Sequence, residues 1–211
     1  MDWTEHFTKT AENFYLQLDF IHTLQDQTSH IRNLRVLDFG SGPIPHTIST
    51  FGRLQKDQEV VVAYDPMLTT LSPNSENTYD SEVRWTNKIP TGEKFHLIVC
   101  NFSLHHTGED LDSVIKGLAV YSPEMIGIID YDFTRVTRED FEKTFISQQE
   151  IKELNTLFGG DWQACFDYHR RLGLNDFKKC LQESGFNVVV SKNGDKVAQN
   201  KFFLIGKKGK P

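Results

Sequence analysis

The stretch RVLDFGSGPIPHT, residues Arg35–Thr47, decides the expected fold of this chain. A short apolar run with Asp38 near its end is followed by Gly40 and Gly42, and then by two prolines. Such a run predicts a buried strand, and glycine directly after it allows the backbone to turn sharply and to approach a ligand closely. The segment therefore predicts a strand, LRVLDF, with a ligand site at its carboxyl end.

The glycine turn differs from the two common phosphate-binding turns. A P-loop requires GxxxxGK followed by Ser or Thr, and the sequence has no such string. A dinucleotide turn requires a third small residue, but Pro45 stands at that position and removes an N–H donor that a pyrophosphate would use. A ligand without phosphate is therefore favoured.

Two aspartates favour a ligand that carries a ribose and a positive charge. A second apolar strand, EVVVAYD, ends in Asp65, which is expected beside the same crevice. A carboxylate at this place can accept hydrogen bonds from both ribose hydroxyls, and Asp38 adds negative charge. Either acid alone is also typical of an ordinary turn residue.

The rest of the chain alternates apolar strands with helical segments. Further strands are predicted at VRW, FHLIVCNFSL and MIGIIDYDF, and the last two, NVVVSK and KFFLIGKK, form a hairpin. Helices are predicted near the N-terminus, at His46–Leu54, at Glu109–Tyr121, and from a cap at Asn175 to a stop at Gly185. This alternation predicts an α/β fold with a doubly wound, open, mostly parallel sheet, in which the closing hairpin forces one antiparallel strand.

The bulk composition limits the classes of function. At 211 residues the chain fits one domain, with an N-terminal helical cap over residues 1–30 and a charged helical insert over residues 133–173. A formal charge of -6 disfavours broad nucleic-acid binding, which needs a basic face. No run approaches the ~20 apolar residues of a membrane helix, and MDWTEHFTKT lacks the layout of a signal peptide. The cysteines form no CxxC pair, so reduced thiols and a cytoplasmic location are expected.

Four motifs occur in an order that carries a family resemblance. VLDFGSGP, VVAYDPML, FHLIVCNFSLHH and the closing SGFNVVVSK with KFFLIGKK together resemble the class I S-adenosylmethionine-dependent methyltransferases, closest to their small-molecule, type 11/12 branch. The resemblance runs from about Leu34 to Lys208 and excludes the insert. It implies a seven-stranded sheet with an antiparallel final strand, and S-adenosylmethionine as the cofactor.

The resemblance also implies a cofactor site at the ends of the first four strands. Asp38 and the glycine turn match the motif that lies against the methionine part, and Asp65 matches the acid that holds the ribose. Asn101 and Phe102 match the motif beneath the sulfonium. The implied cofactor-binding residues are Asp38, Gly40, Ser41, Gly42, Asp65, Pro66, Met67, Trp85, Thr86, Asn101 and Phe102. Trp85 and Thr86 occupy the places where the family often has an acidic and a small residue against the adenine.

Methyl transfer from a sulfonium requires few catalytic groups from the protein. The donor is already activated, so the protein aligns donor and acceptor and removes a proton where the acceptor has one to lose. His105 and His106 follow the fourth strand and are the first candidates for a base, because an imidazole exchanges a proton near neutral pH. His169, in the insert, is a third candidate, and packing or capping is an alternative role for the histidines. Candidate acceptor-binding residues are Tyr15, Tyr131 and Tyr168.

A metal-free site is expected, although the sequence offers two alternatives with a metal. Acids after strands four and five hold magnesium in some family members, but Asn101 or Phe102 stands where the first acid belongs. Cys165 and His169 lie four residues apart and could hold zinc together with His105 or His106, but such a pair arises easily by chance. The N-terminal helix, with Tyr15, either closes over the crevice or packs against the sheet.

The predicted function is transfer of a methyl group to an oxygen or nitrogen of a small-molecule acceptor. Three alternatives remain: a non-catalytic methyltransferase-like binding or scaffold subunit, a protein or RNA methyltransferase, and a nicotinamide-dependent oxidoreductase. Pro45 and the closing hairpin disfavour the oxidoreductase, and the acidic balance disfavours RNA. Self-association and a partner subunit both stay open, and no membrane contact is expected.

Overall fold

A computed structural model describes residues 3–41, 58–66, 83–108, 110–144, 154–194 and 200–209, with the backbone alone for 3–14, 58–60 and 144. The predicted helix His46–Leu54 and the cofactor candidates Gly42 and Met67 lie outside the described residues. The strands are β1 (Leu34–Phe39), β2 (Gln58–Tyr64), β3 (Val83–Thr86), β4 (Leu97–Asn101), β5 (Met125–Tyr131), β6 (Phe186–Asn193) and β7 (Lys201–Lys208). The helices are α1 (Trp3–Thr28), α2 (Leu111–Ala119), α3 (Arg138–Thr144), α4 (Trp162–His169) and α5 (Leu174–Glu183), with short 3-10 turns at Leu104–His106 and Phe133–Arg135.

The strands form one seven-stranded sheet in the order β3-β2-β1-β4-β5-β7-β6. The first five strands pair in parallel, and β7 runs antiparallel to both of its neighbours, β5 and β6. The predicted fold class is therefore confirmed, including the antiparallel final strand. The strand order reverses between β1 and β4, and this switch point is where open α/β sheets bind ligands.

One face of the sheet is covered by α1. Leu16, Phe20 and Leu24 are buried there among the inward residues of the central strands. A Cβ on Gly127 of β5 would lie 2.7 Å from a methyl of Leu24, so glycine at this position lets the helix approach the strand. The described half of α1 thus packs against the sheet, which was one of its two predicted roles. Tyr15 is 67% exposed.

The opposite face is covered by α2, α5 and the helical insert. Ile115 of α2 and Phe177 of α5 are fully buried against alternate residues of β5 and β7. The insert is helical at α3, at residues 154–158 and at α4, in agreement with its sequence pattern. Among the described residues, no helix has both the length and the apolar composition that crossing a membrane requires.

The predicted start of α5 is wrong by two residues. Gly173, and not Asn175, is the N-cap, because the carboxylate of Asp176 accepts a hydrogen bond from the Gly173 N–H at 3.1 Å. A Cβ on Gly173 would lie 2.5 Å from the Thr134 methyl, so a side chain does not fit there. Gly185 follows the helix in the left-handed region at a φ of 87°, as its predicted stop role requires.

Two strands are also shorter than their apolar runs suggest. β4 ends at Asn101 because Phe102 has a positive φ of 49°, which turns the chain out of the sheet. β5 ends at Tyr131, and the next residue, Asp132, accepts a hydrogen bond from the N–H of Thr134 at the start of a 3-10 turn. Both endings bring polar residues to the carboxyl edge of the sheet.

Candidate active site

The turn after β1 contacts the turn after β4 directly. Gly40 has a φ of 73°, and a Cβ there would lie 2.4 Å from the Cβ of Ser103. The N–H groups of Gly40 and Ser41 both donate to the carbonyl oxygen of Tyr64, at 2.8 and 3.0 Å. The hydroxyl of Ser103 donates to the carbonyl oxygen of Phe39 at 2.7 Å. These bonds tie together the ends of β1, β2 and β4 around the switch point.

A buried carboxyl stands at the end of β1. Asp38 is 1% exposed, and its Oδ1 has no hydrogen-bond partner among the described residues. Burial, and then the nearby charge of Asp65, raise the pKa of Asp38 to about 7. Asp65 is itself buried directly after β2, where its N–H donates to the carbonyl oxygen of Thr86 at 3.1 Å. Two neighbouring carboxyls of this kind favour a cation and repel a phosphate.

The other candidate cofactor residues are spread along the same edge. Trp85 and Thr86 lie in β3 and are half-buried, whereas Pro66 is exposed. The hydroxyl of Thr86 donates to the carbonyl oxygen of Lys88 at 2.9 Å, so its side chain stabilises the local turn. Asn101 is half-buried at the end of β4.

Phe102 has the positive φ noted above and is the residue that leads out of β4 toward the histidines. Its N–H donates to the carbonyl oxygen of Ile129 at 2.8 Å, which fixes the turn against β5. A positive φ is unfavourable for a residue with a bulky side chain, and such strain is concentrated at functional sites. The ring of Phe102 is half-buried and lies 5.0 Å from the ring of Tyr131.

His105 forms a buried pair with an acid from the neighbouring strand. Its Nδ1 lies 2.6 Å from Oδ1 of Asp130, and the two side chains are 4% and 0% exposed. The N–H of Tyr131 donates to the same carboxylate oxygen at 2.8 Å. A carboxylate accepts hydrogen bonds, so Nδ1 of His105 carries the proton of this bond and Nε2 is left as the ring atom that can accept one.

His106 and His169 lie close to this pair. The rings of His105 and His106 are 3.8 Å apart, and His106 is half-buried. The ring of His169, at the end of α4, lies 6.1 Å from that of His105 and is fully buried. Burial lowers the pKa of His169 to about 3, so this imidazole is neutral at physiological pH. These properties fit packing better than proton transfer for His169.

Cys165 and His169, the pair that the sequence left as an alternative zinc site, are joined by a hydrogen bond within one helix. Nδ1 of His169 lies 2.8 Å from the carbonyl oxygen of Cys165 and 3.7 Å from its sulfur. The carbonyl oxygen of Cys165 is thus hydrogen-bonded to Nδ1 of His169. This is the ring nitrogen that could otherwise bind a metal together with the cysteine sulfur. In the part of the chain that the structure describes, no three His, Cys, Asp or Glu side chains are grouped to hold a metal ion.

The insert reaches the turn after β4. The hydroxyl of Tyr168, on α4, lies 3.5 Å from the hydroxyl of Thr107, immediately after the two histidines. The structure therefore brings Tyr168 and Tyr131 to the edge where the candidate base lies. Tyr15 is on the exposed side of α1.

The sequence interpretation missed a lysine at the same edge. Because β7 is antiparallel, its first residue, Lys201, pairs with Tyr131 at the carboxyl end of β5. Nζ of Lys201 lies 4.9 Å from the centre of the Tyr131 ring and 5.2 Å from that of Phe102. Burial lowers the pKa of Lys201 to about 8. An antiparallel final strand begins at the carboxyl edge of the parallel strands, so the predicted hairpin could have indicated the position of this residue, although not its contacts with the two rings.

No family model matches the sequence, and no curated protein sequence matches it either. Solved structures do match. The CurJ carbon methyltransferase superposes with a TM-score of 0.67 at 14% identity, covering 98% of this chain and 59% of that chain. Magnesium protoporphyrin IX methyltransferase from Synechocystis PCC 6803, with bound SAH, gives 0.63 at 14% identity over 94% and 84%. The chain has the methyltransferase fold.

A third solved structure has the same fold. The plantazolicin methyltransferase BpumL, in complex with SAH, gives a TM-score of 0.60 at 12% identity, covering 97% of this chain and 88% of that chain. Identities this low establish a common architecture. The roles of individual residues must therefore be argued from the geometry of this chain.

Proposed function

We propose that this protein is an S-adenosylmethionine-dependent methyltransferase that acts on a small-molecule acceptor. The observation that carries the proposal is the pair of buried acids, Asp38 and Asp65, beside the Gly40 turn at the switch point of the sheet. S-adenosylmethionine offers a cation and a ribose without a phosphate, which is the chemistry that such a site favours. Its presence in solved structures of the same fold supports the assignment.

The residues present fit this cofactor. Asp38 has a buried carboxylate oxygen without a partner among the described residues, and a cationic group would restore the interaction that it loses on burial. We propose that Asp65, which is buried directly after β2, accepts hydrogen bonds from the two ribose hydroxyls. Glycine at position 40 keeps the turn free of a side chain. When bound, the cofactor supplies a methyl group that is already activated for transfer.

His105 is the residue that we propose to remove a proton from the acceptor. Asp130 holds the proton of the ring on Nδ1, which leaves Nε2 to accept a proton from an O–H or N–H group. This pairing supports an oxygen or nitrogen acceptor, although one structural neighbour is a carbon methyltransferase. His106, in ring contact with His105, is a second candidate.

We also propose that the insert, residues 133–173, shapes the acceptor site within a single domain of residues 1–211, whose N-terminal cap is residues 1–30. The contact between Tyr168 and Thr107 supports this role for the insert. The names of the structural neighbours support a small acceptor, since they refer to a porphyrin and to the natural product plantazolicin. A net charge of -6 disfavours a nucleic acid.

The test is transfer of a labelled methyl group. The protein is incubated with methyl-tritiated S-adenosylmethionine and a panel of small phenols, amines and hydroxy acids, and labelled product is counted. Transfer to at least one panel member is expected, and His105→Gln should lower the rate by ~10²-fold or more. His22→Gln, on the exposed side of α1, is the matched control and should leave the rate unchanged. Cofactor binding without transfer to any acceptor would instead support a non-catalytic binding subunit.

A further inference from the structure

We propose that the acceptor carries an anionic group and that Lys201 binds it. The inference rests on the proposed function and specifies the substrate class of the same site. It is based on the position of the Lys201 ammonium group relative to the candidate base, His105, and to the strained turn after β4.

The position of Lys201 follows from the topology of the sheet. Lys201 begins β7, which lies between β5 and β6 and runs against both. The N–H of Asp132, just after β5, donates to the carbonyl oxygen of Asn200 and fixes the entry into β7. The side chain of Lys201 is therefore held at the carboxyl edge of the sheet, where the ligand is expected.

Two aromatic rings lie beside the ammonium group of Lys201. Nζ lies 4.9 Å from the ring centre of Tyr131 and 5.2 Å from that of Phe102, which are cation–π distances. Phe102 belongs to the strained turn that follows β4. The rings of Phe102 and Tyr131 also contact each other, at 5.0 Å, so the three side chains form one half-buried surface with a positive charge beside two rings. Such a surface suits an acceptor with an anionic substituent.

The same tyrosine connects this charge to the candidate base. The rings of Tyr131 and His105 meet edge to face at 5.3 Å, and Lys201 contacts the Tyr131 ring as well. A single acceptor could therefore lie across Tyr131, with its anion at Lys201 and its reactive O–H or N–H group at His105. Methyl transfer to that group would leave the anion, and hence its contact with Lys201, unchanged.

Burial of the Lys201 ammonium group favours binding of an anion. The pKa of Lys201 is lowered to about 8 by loss of hydration, so most of the lysine is still charged at neutral pH. An anion that displaces water from this surface would meet a weakly hydrated charge, and hydrogen bonds between charged groups are stronger than those between neutral ones.

The test measures anion preference in the protein saturated with S-adenosylhomocysteine. Benzoate, phenyl phosphate and the neutral isostere benzamide are titrated by NMR, which detects millimolar affinities. Benzoate is expected to bind the wild type at least ~10-fold more tightly than benzamide, and Lys201→Met should abolish this preference. Lys201→Arg, which keeps the charge, should retain it. Tighter binding of phenyl phosphate than of benzoate would identify a phosphorylated acceptor, and the reverse order a carboxylated one.

Lys208→Met is the matched control, because Lys208 is an exposed lysine at the opposite end of the same strand. It should keep the wild-type preference. An absence of anion preference in the wild type, including the absence of binding by any probe, would overturn the inference, and so would a preference that survives in Lys201→Met. If S-adenosylhomocysteine itself fails to bind, the proposed function fails and the inference falls with it.

Discussion

Replacing Asp38 with asparagine is expected to stabilise the ligand-free protein at alkaline pH while weakening cofactor binding. Burial and Asp65 raise the pKa of Asp38 from 3.8 to about 7, so the folded state resists ionisation of this group. The stability that the protonated form provides is complete below pH 3.8, declines as the pH rises, and is lost above about pH 7. At about 1.36 kcal/mol per pH unit, the loss amounts to about 4 kcal/mol.

The asparagine does not ionise, so it escapes this loss. Its buried carboxamide N–H groups will lack partners at a cost of about 1–3 kcal/mol, which leaves a net gain of about 1–3 kcal/mol at pH 8. The change in the relative stability of the two proteins between pH 5 and pH 8 is independent of that cost. Between these two pH values, the stability of the variant relative to the wild type should rise by about 3 kcal/mol.

The assay is urea unfolding of both proteins at a series of pH values, with Asp26→Asn, on the exposed side of α1, as the control. S-adenosylhomocysteine affinity is measured in parallel and should fall by about 10–100-fold in Asp38→Asn. In the wild type, affinity should also fall as the pH drops below about 7, because the α-ammonium group of the ligand favours the ionised carboxylate. A stability difference that is the same at pH 5 and pH 8 would refute the assigned charge state.

Three further substitutions test the rest of the site. Gly40→Ala should destabilise the protein by about 1–3 kcal/mol more than Gly92→Ala in thermal unfolding. Both glycines have a φ of 73°, but only a side chain at position 40 would meet a neighbouring side chain. Equal effects would contradict the close contact. Asp65→Asn should weaken S-adenosylhomocysteine binding by more than ~10-fold in calorimetry, and unchanged affinity would remove this residue from the ribose site. Asp130→Asn should lower kcat by ~10²-fold or more with cofactor affinity intact, since a neutral amide cannot stabilise the positive charge that His105 gains when it accepts a proton. A wild-type kcat would exclude that positioning role.

Local patterns in the sequence were sufficient to predict most of the sheet. Apolar runs ending in Asp38 and Asp65 mark β1 and β2, and the two closing strands mark the antiparallel hairpin. The pairing of His105 with Asp130 could not be predicted in this way, because it depends on a short 3-10 turn that brings the histidine back over the neighbouring strand.

Lys201 shows a second limit of local patterns. A lysine at the start of a strand is usually solvated, and only the insertion of β7 between β5 and β6 brings this one against Tyr131 and Phe102. The start of α5 shows a third limit of local patterns. The N-cap is Gly173 and not Asn175, because Gly173 fits closely against Thr134, which is a tertiary contact.

We propose that the acidic crevice at the switch point binds a sulfur nucleoside and not a dinucleotide. Parallel calorimetric titrations with S-adenosylmethionine, S-adenosylhomocysteine and NAD test it most directly. We expect micromolar binding of the first two and no binding of NAD, because the two carboxyls beside Gly40 repel a pyrophosphate. Binding of NAD, or binding of none of the three, would contradict it.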